Sequence, residues 1–219
     1  MTYEILSKQH WETQICEAES THSFTMGYKL LCCPWKTLNT ATHAFISLSP
    51  GAATPLDAEL KCLSEERGNS YFIEKHTTKS PITEQFISLS ELIGVSPNAI
   101  LTGYAHPFRT REWNDNSAKQ KEVGLQIGLD FWDAALHDGK VETVIISGSD
   151  VTRYFTNRLE ASLEKEVPSG WGQTSLKTYK TQKGIKIISL PHLSRFKLLS
   201  RSNCIQPLRE VFELERRLN

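Results

Sequence analysis

Apolar residues along this chain alternate between two spacings, one typical of strands and one typical of helices. Four short apolar runs have the length and β-branched content of buried strands: 43–48, 99–104, 141–147 and 185–189. Five segments are predicted as helices, most of them by apolar residues three or four positions apart: 3–18, 82–94, 118–137, 151–163 and 207–218. Strands alternating with helices predict a single α/β domain over 1–219, with a mainly parallel four-stranded sheet between two helical layers.

Polar and turn-forming residues mark the connections between these elements. Ser117 is expected to cap the long helix, and Gly94 to end the helix before it. The region 52–81 is polar and reads as a connection with a turn near 68–70. The segment 167–183, which contains proline and glycine, reads as irregular or hairpin-like.

Composition limits the classes of protein that this chain represents. Lysine plus arginine equals aspartate plus glutamate, 25 of each, so the chain has no overall attraction for phosphate. A local basic patch is present, because Arg195, Lys197 and Arg201 fall within seven residues. No apolar run reaches the ~20 residues of a membrane span, and the N-terminus lacks a signal-peptide pattern, so we expect a cytoplasmic protein without a membrane partner. The five cysteines have no C-x-x-C spacing and predict free thiols rather than a metal site.

Two loops that follow predicted strands carry the candidate chemistry. Ser49-Pro50-Gly51 comes after the first strand, and 190–196, Leu-Pro-His-Leu-Ser-Arg-Phe, comes after the fourth. Ligands of parallel α/β sheets bind beyond the carboxyl ends of the strands, so the two loops are predicted to face one crevice.

The sequences of these loops resemble the first and last motifs of the uracil-DNA glycosylase superfamily, which are roughly Gly-x-x-Pro-Gly and His-Pro-Ser-x-Leu-Ser. The segments 100–109 and 144–150 resemble the strands and loops between those motifs, in the same order. The resemblance covers roughly 30–200. It implies a monomeric DNA glycosylase that flips a base out of double-stranded DNA and needs neither a metal nor an organic cofactor.

The resemblance also implies roles for individual residues. His192 would stabilise the departing base as the glycosidic bond breaks. Residues implied to line the base pocket come from the strand ends and from the 68–72 turn, where Tyr71 and Phe72 are alternatives for stacking on the base: Gly51, Tyr71, Phe72, Gly103, Tyr104 and His106. Residues implied to contact DNA are polar or basic: Arg109, Arg111, Ser194, Arg195 and Lys197.

Three departures from the superfamily pattern modify the expected activity. Ser49 stands where the superfamily often has the Asp or Asn that positions water, so that role is assigned to Asp57, with Glu59 as the alternative. Gly103 stands where an Asn commonly reads uracil; glycine cannot read the base edge and vacates volume, which predicts that uracil is not the preferred base or that the pocket accepts a bulkier one, such as glucosylated hydroxymethylcytosine in phage DNA. Excision of such a base implies a role in antiviral defence.

In the favoured register of the last motif, Leu193 replaces the proline after the histidine; the alternative register matches Pro191 to that proline and leaves Leu190 at the histidine position.

Two alternatives to the glycosylase remain open from the sequence. A catalytically inactive module that keeps the fold and binds DNA or a partner would account for Ser49. An unrelated α/β hydrolase of nucleotides or nucleosides is compatible with the fold class alone. It is disfavoured because the chain contains no nucleophile elbow, no phosphate-binding glycine loop and no paired metal ligands.

Overall fold

The computed structural model describes residues 7–55, 57, 59–77 and 80–214, and these residues form one sheet with helices on both faces. The strands are β1 Tyr28–Leu31, β2 His43–Ser47, β3 Lys61–Ser64, β4 Ile100–Tyr104, β5 Thr143–Ser147, β6 Ser162–Pro168, β7 Ser175–Lys180 and β8 Lys186–Leu190. The helices are α1 Lys8–Thr21, α2 Ser70–Glu74, α3 Pro81–Ile93, α4 Ala118–Asp138, α5 Ser149–Arg158 and α6 Ser202–Val211. Strand order across the sheet is β3-β1-β4-β2-β5-β8-β7-β6.

The four predicted strands form the parallel centre of the sheet. β2 pairs in parallel with both β4 and β5, and β5 pairs in parallel with β8. The prediction of a four-stranded sheet is nevertheless wrong, because the sheet is mixed and has eight strands. β1 and β3 add one edge and have only four residues each, while the antiparallel β6–β7 hairpin adds the other edge.

Two hydrophobic clusters occupy the two faces of the sheet and confirm the helical layers. Side chains alternate along the central strands, so Ile46 and Ile146 face one cluster while Phe45 and Ile145 face the other. The first cluster is completed by α1, α4 and α5, and the second by α2, α3 and α6. The parallel strands are therefore covered on both sides, which is why their sequences are apolar throughout.

Helix boundaries follow the local signals in the middle of the chain and depart from the predictions in the last third. A capping box of Ser117 and Gln120 begins α4, and Gly94 ends α3 with φ 71°. The predicted helix 151–163 is too long, because α5 ends at Arg158 and β6 begins at Ser162. The predicted last helix begins earlier, at Ser202, and its final residues 215–218 lie outside the described residues, as do residues 3–6 of the predicted first helix.

None of the helices in the described part of the chain has the length and apolarity that a bilayer crossing requires.

Candidate functional site

The carboxyl ends of the central strands bring three hydroxyl side chains to one face of the sheet. Ser47 ends β2, Tyr104 ends β4 and Ser147 ends β5, and Ser47 is paired with Tyr104 in register. Each lies two residues after a side chain of the same sheet face, for example Ser47 after Phe45. The strand ends therefore present a polar row beside the loop that follows β8.

The loop after β8 is fixed to this row by its backbone. Ser147 Oγ accepts a hydrogen bond of 3.0 Å from the amide of Leu193. The carbonyl of His192 accepts hydrogen bonds of 2.9 Å from the amides of Arg195 and Phe196, which closes a tight turn. Gly148, at φ 118°, lies next to the imidazole, since a Cβ built on it would be 3.6 Å from His192 Cδ2. The loop after β8 is thus held in an ordered contact with the end of β5.

His192 is half-buried and hydrogen-bonded to its neighbour in the same turn. Its Nδ1 lies 2.7 Å from Ser194 Oγ. Burial and the positive charge of Arg195 both lower the pKa of His192 from its ordinary value, so the ring is neutral at pH 7. In the tautomer in which Ser194 donates to Nδ1, the ring proton is on Nε2 and is available to a ligand.

The other predicted loop, 48–51, is joined to the loop after β4. The amide of His106 donates to the carbonyl of Leu48 at 2.8 Å, and the amide of Thr110 donates to Pro50 at 3.3 Å. The proline is buried, Ser49 is half-buried and Gly51 is exposed. The loops after β2 and β4 are therefore in contact, and the loop after β8 lies at the same edge of the sheet beyond the end of β5.

Asp57 lies in a network of buried charges. Its carboxylate is 3.0 Å from Lys29 Nζ and 2.9 Å from the Arg109 guanidinium, and it accepts a hydrogen bond from the amide of Thr54. Burial favours the neutral form, but the bond from Thr54 and the charges of Lys29 and Arg109 outweigh it and lower the pKa of Asp57 to about 2. A carboxylate with so low a pKa is a weak proton acceptor, so this geometry favours a structural role for Asp57. Glu59, the alternative, is exposed.

The guanidinium of Arg109 also makes its hydrogen bonds within the protein. It donates to the carbonyls of Leu60 and Gly51 as well as to Asp57, and the residue is only 5% exposed. It holds the loop containing Asp57 against the loop after β4. Arg111, by contrast, is exposed and makes no ion pair with any described carboxylate, so of the two arginines it is the one that can reach a ligand.

Of the two aromatic alternatives for stacking, Tyr71 lies nearer to the strand ends. It is 5% exposed, and its ring packs against Phe45 and Phe86. Desolvation raises the pKa of Tyr71 and of Tyr104, whose hydroxyls interact with each other. Phe72 is 38% exposed and lies under Lys75 Nζ at 4.0 Å, on the outer side of α2.

One buried hydroxyl of the strand-end row lies beside a tyrosine hydroxyl. Ser47 Oγ is buried next to the hydroxyl of Tyr71, and it makes no well-oriented hydrogen bond with any described residue. Sequence reasoning missed Ser47 and Ser147. The available signal was that each is the polar residue that ends an apolar strand run.

Two predicted pocket residues are packed within the protein instead. A Cβ on Gly103 would lie 2.4 Å from the carbonyl oxygen of Leu30 and 3.0 Å from the ring of Trp132, so this glycine admits a neighbouring strand and a tryptophan. The expectation that it vacates volume for a bulky base is therefore wrong. The His106 ring is fully buried, with Nδ1 3.3 Å from the carbonyl of Phe108 and Nε2 3.3 Å from that of Gln120, and it presents no atom to a ligand.

Exposed cations follow His192 on the protein surface. Arg195 and Lys197 are exposed, and neither makes an ion pair with any described carboxylate. A cavity of about 190 Å³ lies elsewhere, at the opposite edge of the sheet, between the end of α4 and the end of α5. Within the described ranges, no group of three or more His, Cys, Asp or Glu side chains is arranged to hold a metal ion.

Comparison with known proteins adds no relative: no protein-family model matches this chain, and no curated protein matches it.

Proposed function

We propose that this protein is a DNA glycosylase that acts on a flipped base other than uracil. The observation that carries the proposal is the His192 turn: a neutral imidazole with Nδ1 bonded to Ser194, adjoining the polar ends of the strands and followed by unpaired cations. Arg195 and Lys197 are available to phosphates, whereas Tyr71 is buried against Phe45 and Phe86 and has no ring face open for stacking. The resemblance of the loops to the uracil-DNA glycosylase superfamily supports the same function.

In the proposed reaction the bond between C1′ of the sugar and the base nitrogen breaks, and its electron pair leaves with the base. Nε2–H of His192 donates to the atom of the base that gains negative charge, while a water molecule adds to C1′ and loses a proton to solvent. This requires the tautomer in which Ser194 Oγ donates to Nδ1 and the ring proton is on Nε2. The products are the free base and an abasic site.

The preference against uracil comes from the resemblance alone, because Gly103 stands where the superfamily commonly has the Asn that reads this base, and the structure packs that position against Leu30 and Trp132. Because Gly103 opens no space, the size of the base is not inferred from it. Glucosylated hydroxymethylcytosine, and with it a role in defence against phage, remains one candidate in a panel of modified bases.

The test is alkali-sensitive strand cleavage on duplexes that contain uracil, hypoxanthine, mismatched thymine, hydroxymethylcytosine or glucosylated hydroxymethylcytosine. We expect abasic sites on one non-uracil member, and we expect His192→Ala to abolish them while DNA binding is kept. His137→Ala, which removes an exposed histidine at the opposite edge of the sheet, is the matched control and should leave cleavage unchanged. Cleavage by the His192 variant at the normal rate would remove this residue from the mechanism.

A second candidate function is a catalytically inactive DNA-binding module. It is favoured by one observation: the carboxylate nearest to loop 48–51 in sequence, Asp57, is held between Lys29 and Arg109. No strand cleavage on any member of the panel, together with retained DNA binding, would support this candidate.

A further inference from the structure

The turn between β6 and β7 lies at the same edge of the sheet as His192. β6 and β8 both run antiparallel to β7, so the end of β6 at Pro168 and the end of β8 at Leu190 point the same way. Sequence analysis gave this segment no role in the site. The structure makes it a neighbour of the loop that carries the proposed chemistry.

The turn is held in one conformation by short-range contacts. The amide of Ser169 donates to the carbonyl of Thr174 at 2.9 Å, and the amide of Trp171 donates to Ser169 Oγ at 3.1 Å. Gly170, at φ 80°, packs so closely on α6 that an added Cβ would lie 2.2 Å from the carbonyl oxygen of Asn203. The position of Trp171 is therefore set before any ligand arrives.

The guanidinium of Arg201 lies over the ring of Trp171. The guanidinium carbon of Arg201 lies 3.5 Å from the ring centroid, and Phe196 meets the ring edge-on with centroids 5.8 Å apart. Phe196 belongs to the turn closed by His192, so these aromatic side chains connect Arg201 to the candidate site. A guanidinium stacked flat on an aromatic ring keeps its N–H groups directed to the sides, where an oxyanion can accept two of them.

The charge of this surface is not compensated. Arg195, Lys197 and Arg201 are all exposed, and none of them makes an ion pair with a described carboxylate. Cations further along the same hairpin are compensated: Lys165 pairs with Glu210 and Lys177 pairs with Glu166. In a chain of zero net charge, three unpaired cations beside two aromatic rings form a local anion-attracting surface.

We propose that Arg201, stacked on Trp171, binds a backbone phosphate of a nucleic-acid strand that passes over the His192 loop. The choice of nucleic acid as the partner rests on the proposed function, since the surface is continuous with the residues assigned to DNA. Arg195 and Lys197 neutralise neighbouring phosphates, and Arg201 follows them along the chain. Contacts of this kind position the strand without reading its sequence.

The test measures binding of a short fluorescein-labelled duplex of unmodified DNA by anisotropy, between about 50 and 200 mM salt. Arg201→Ala should weaken binding about tenfold and reduce the slope of log affinity against log salt by about 1. Lys180→Ala, which removes an exposed cation at the other end of β7, is the matched control and should change affinity less than about twofold.

Two further variants separate stacking from charge. Arg201→Lys keeps the charge without the planar stack and should lose part of the affinity, whereas Trp171→Phe keeps an aromatic ring and should retain most of it. Arg201 is exposed, so its variants test the proposal even where a change at Trp171 impairs folding.

Equal effects of the Arg201 and Lys180 variants would overturn the proposal, because general charge would then explain binding. Arg201-dependent binding to anionic lipid vesicles or to an acidic peptide, with none to DNA, would also overturn it. Base release is measured separately: no release from any panel member, with Arg201-dependent DNA binding, would leave this proposal standing while the glycosylase fails.

Discussion

Replacing Asp57 with asparagine separates a structural role for this carboxylate from a catalytic one. Asp57 joins Lys29 to Arg109, and the side chains of both cations are almost fully buried. A fall in pKa from the ordinary 3.8 to about 2 corresponds to about 2.5 kcal/mol of unfolding free energy at neutral pH. Removing one partner of a buried ion pair costs about 3–5 kcal/mol. We expect about 2–3 kcal/mol, because Glu65 still lies 3.7 Å from Lys29.

The pH dependence of this loss is a stricter test than its size. The folded-state pKa of Asp57 is depressed, so its stabilising effect is complete above about pH 4 and is lost as the pH falls toward about 2. Urea unfolding followed by circular dichroism should show a gap between the wild-type protein and Asp57→Asn that closes over this window. Asp130→Asn, which breaks a half-exposed pair with Arg158, is the control and should cost less than about 1 kcal/mol.

A stability of Asp57→Asn within about 0.5 kcal/mol of the wild type at pH 7 would refute this reasoning. If that variant also lost base release, the sequence-based assignment of Asp57 to water activation would be favoured instead.

Three other perturbations test the packing and electrostatics of the site. Gly103→Ala should cost about 1–3 kcal/mol in urea unfolding, since its Cβ would press on the carbonyl oxygen of Leu30; an unchanged midpoint would contradict the close packing. Burial lowers the pKa of His106 to about 4, so wild-type stability should fall by about 3 kcal/mol between about pH 6.5 and 4. His106→Gln should lack this loss, and an equal loss in the variant would assign it to other groups. Arg195→Ala should raise the pKa of His192 in an NMR titration, and a constant pKa would show that the two side chains are not electrostatically coupled.

The central strands could be predicted from sequence because burial on both faces produces a continuous apolar run. Val144 to Ile146 read as a continuous apolar run only because helices cover both sides of the sheet. β6 leaves no such trace: six of its seven residues are exposed, and backbone pairing with β7 is what makes it a strand. β1 and β3 have four residues each, too few for a period to be recognised.

The candidate site could be predicted in outline because parallel topology brings the loops after β2, β4 and β8 to one edge. The direction of individual side chains could not be predicted. In the sequence, Arg109 and Arg111 are equivalent cations two residues apart, yet one is buried against Asp57 and the other faces solvent. Gly103 presents the same difficulty, because a missing side chain reads equally as an open pocket or as a close contact with Leu30.

The ion pairs of Asp57 favour the inactive binder, but they do not exclude the glycosylase. General-base catalysis contributes about 10²–10⁴-fold, and enzymes accelerate their reactions by about 10⁶-fold or more. Losing water activation therefore leaves a rate enhancement of at least about 10²-fold, provided that the departing base is still stabilised. That stabilisation depends on the imidazole of His192, whose neutral state is favoured by burial and by the charge of Arg195, and whose Nδ1 lies 2.7 Å from Ser194 Oγ. A neutral imidazole at this position favours a slow glycosylase over an inactive binder. An inactive binder would need only the cations beside His192 to bind phosphate.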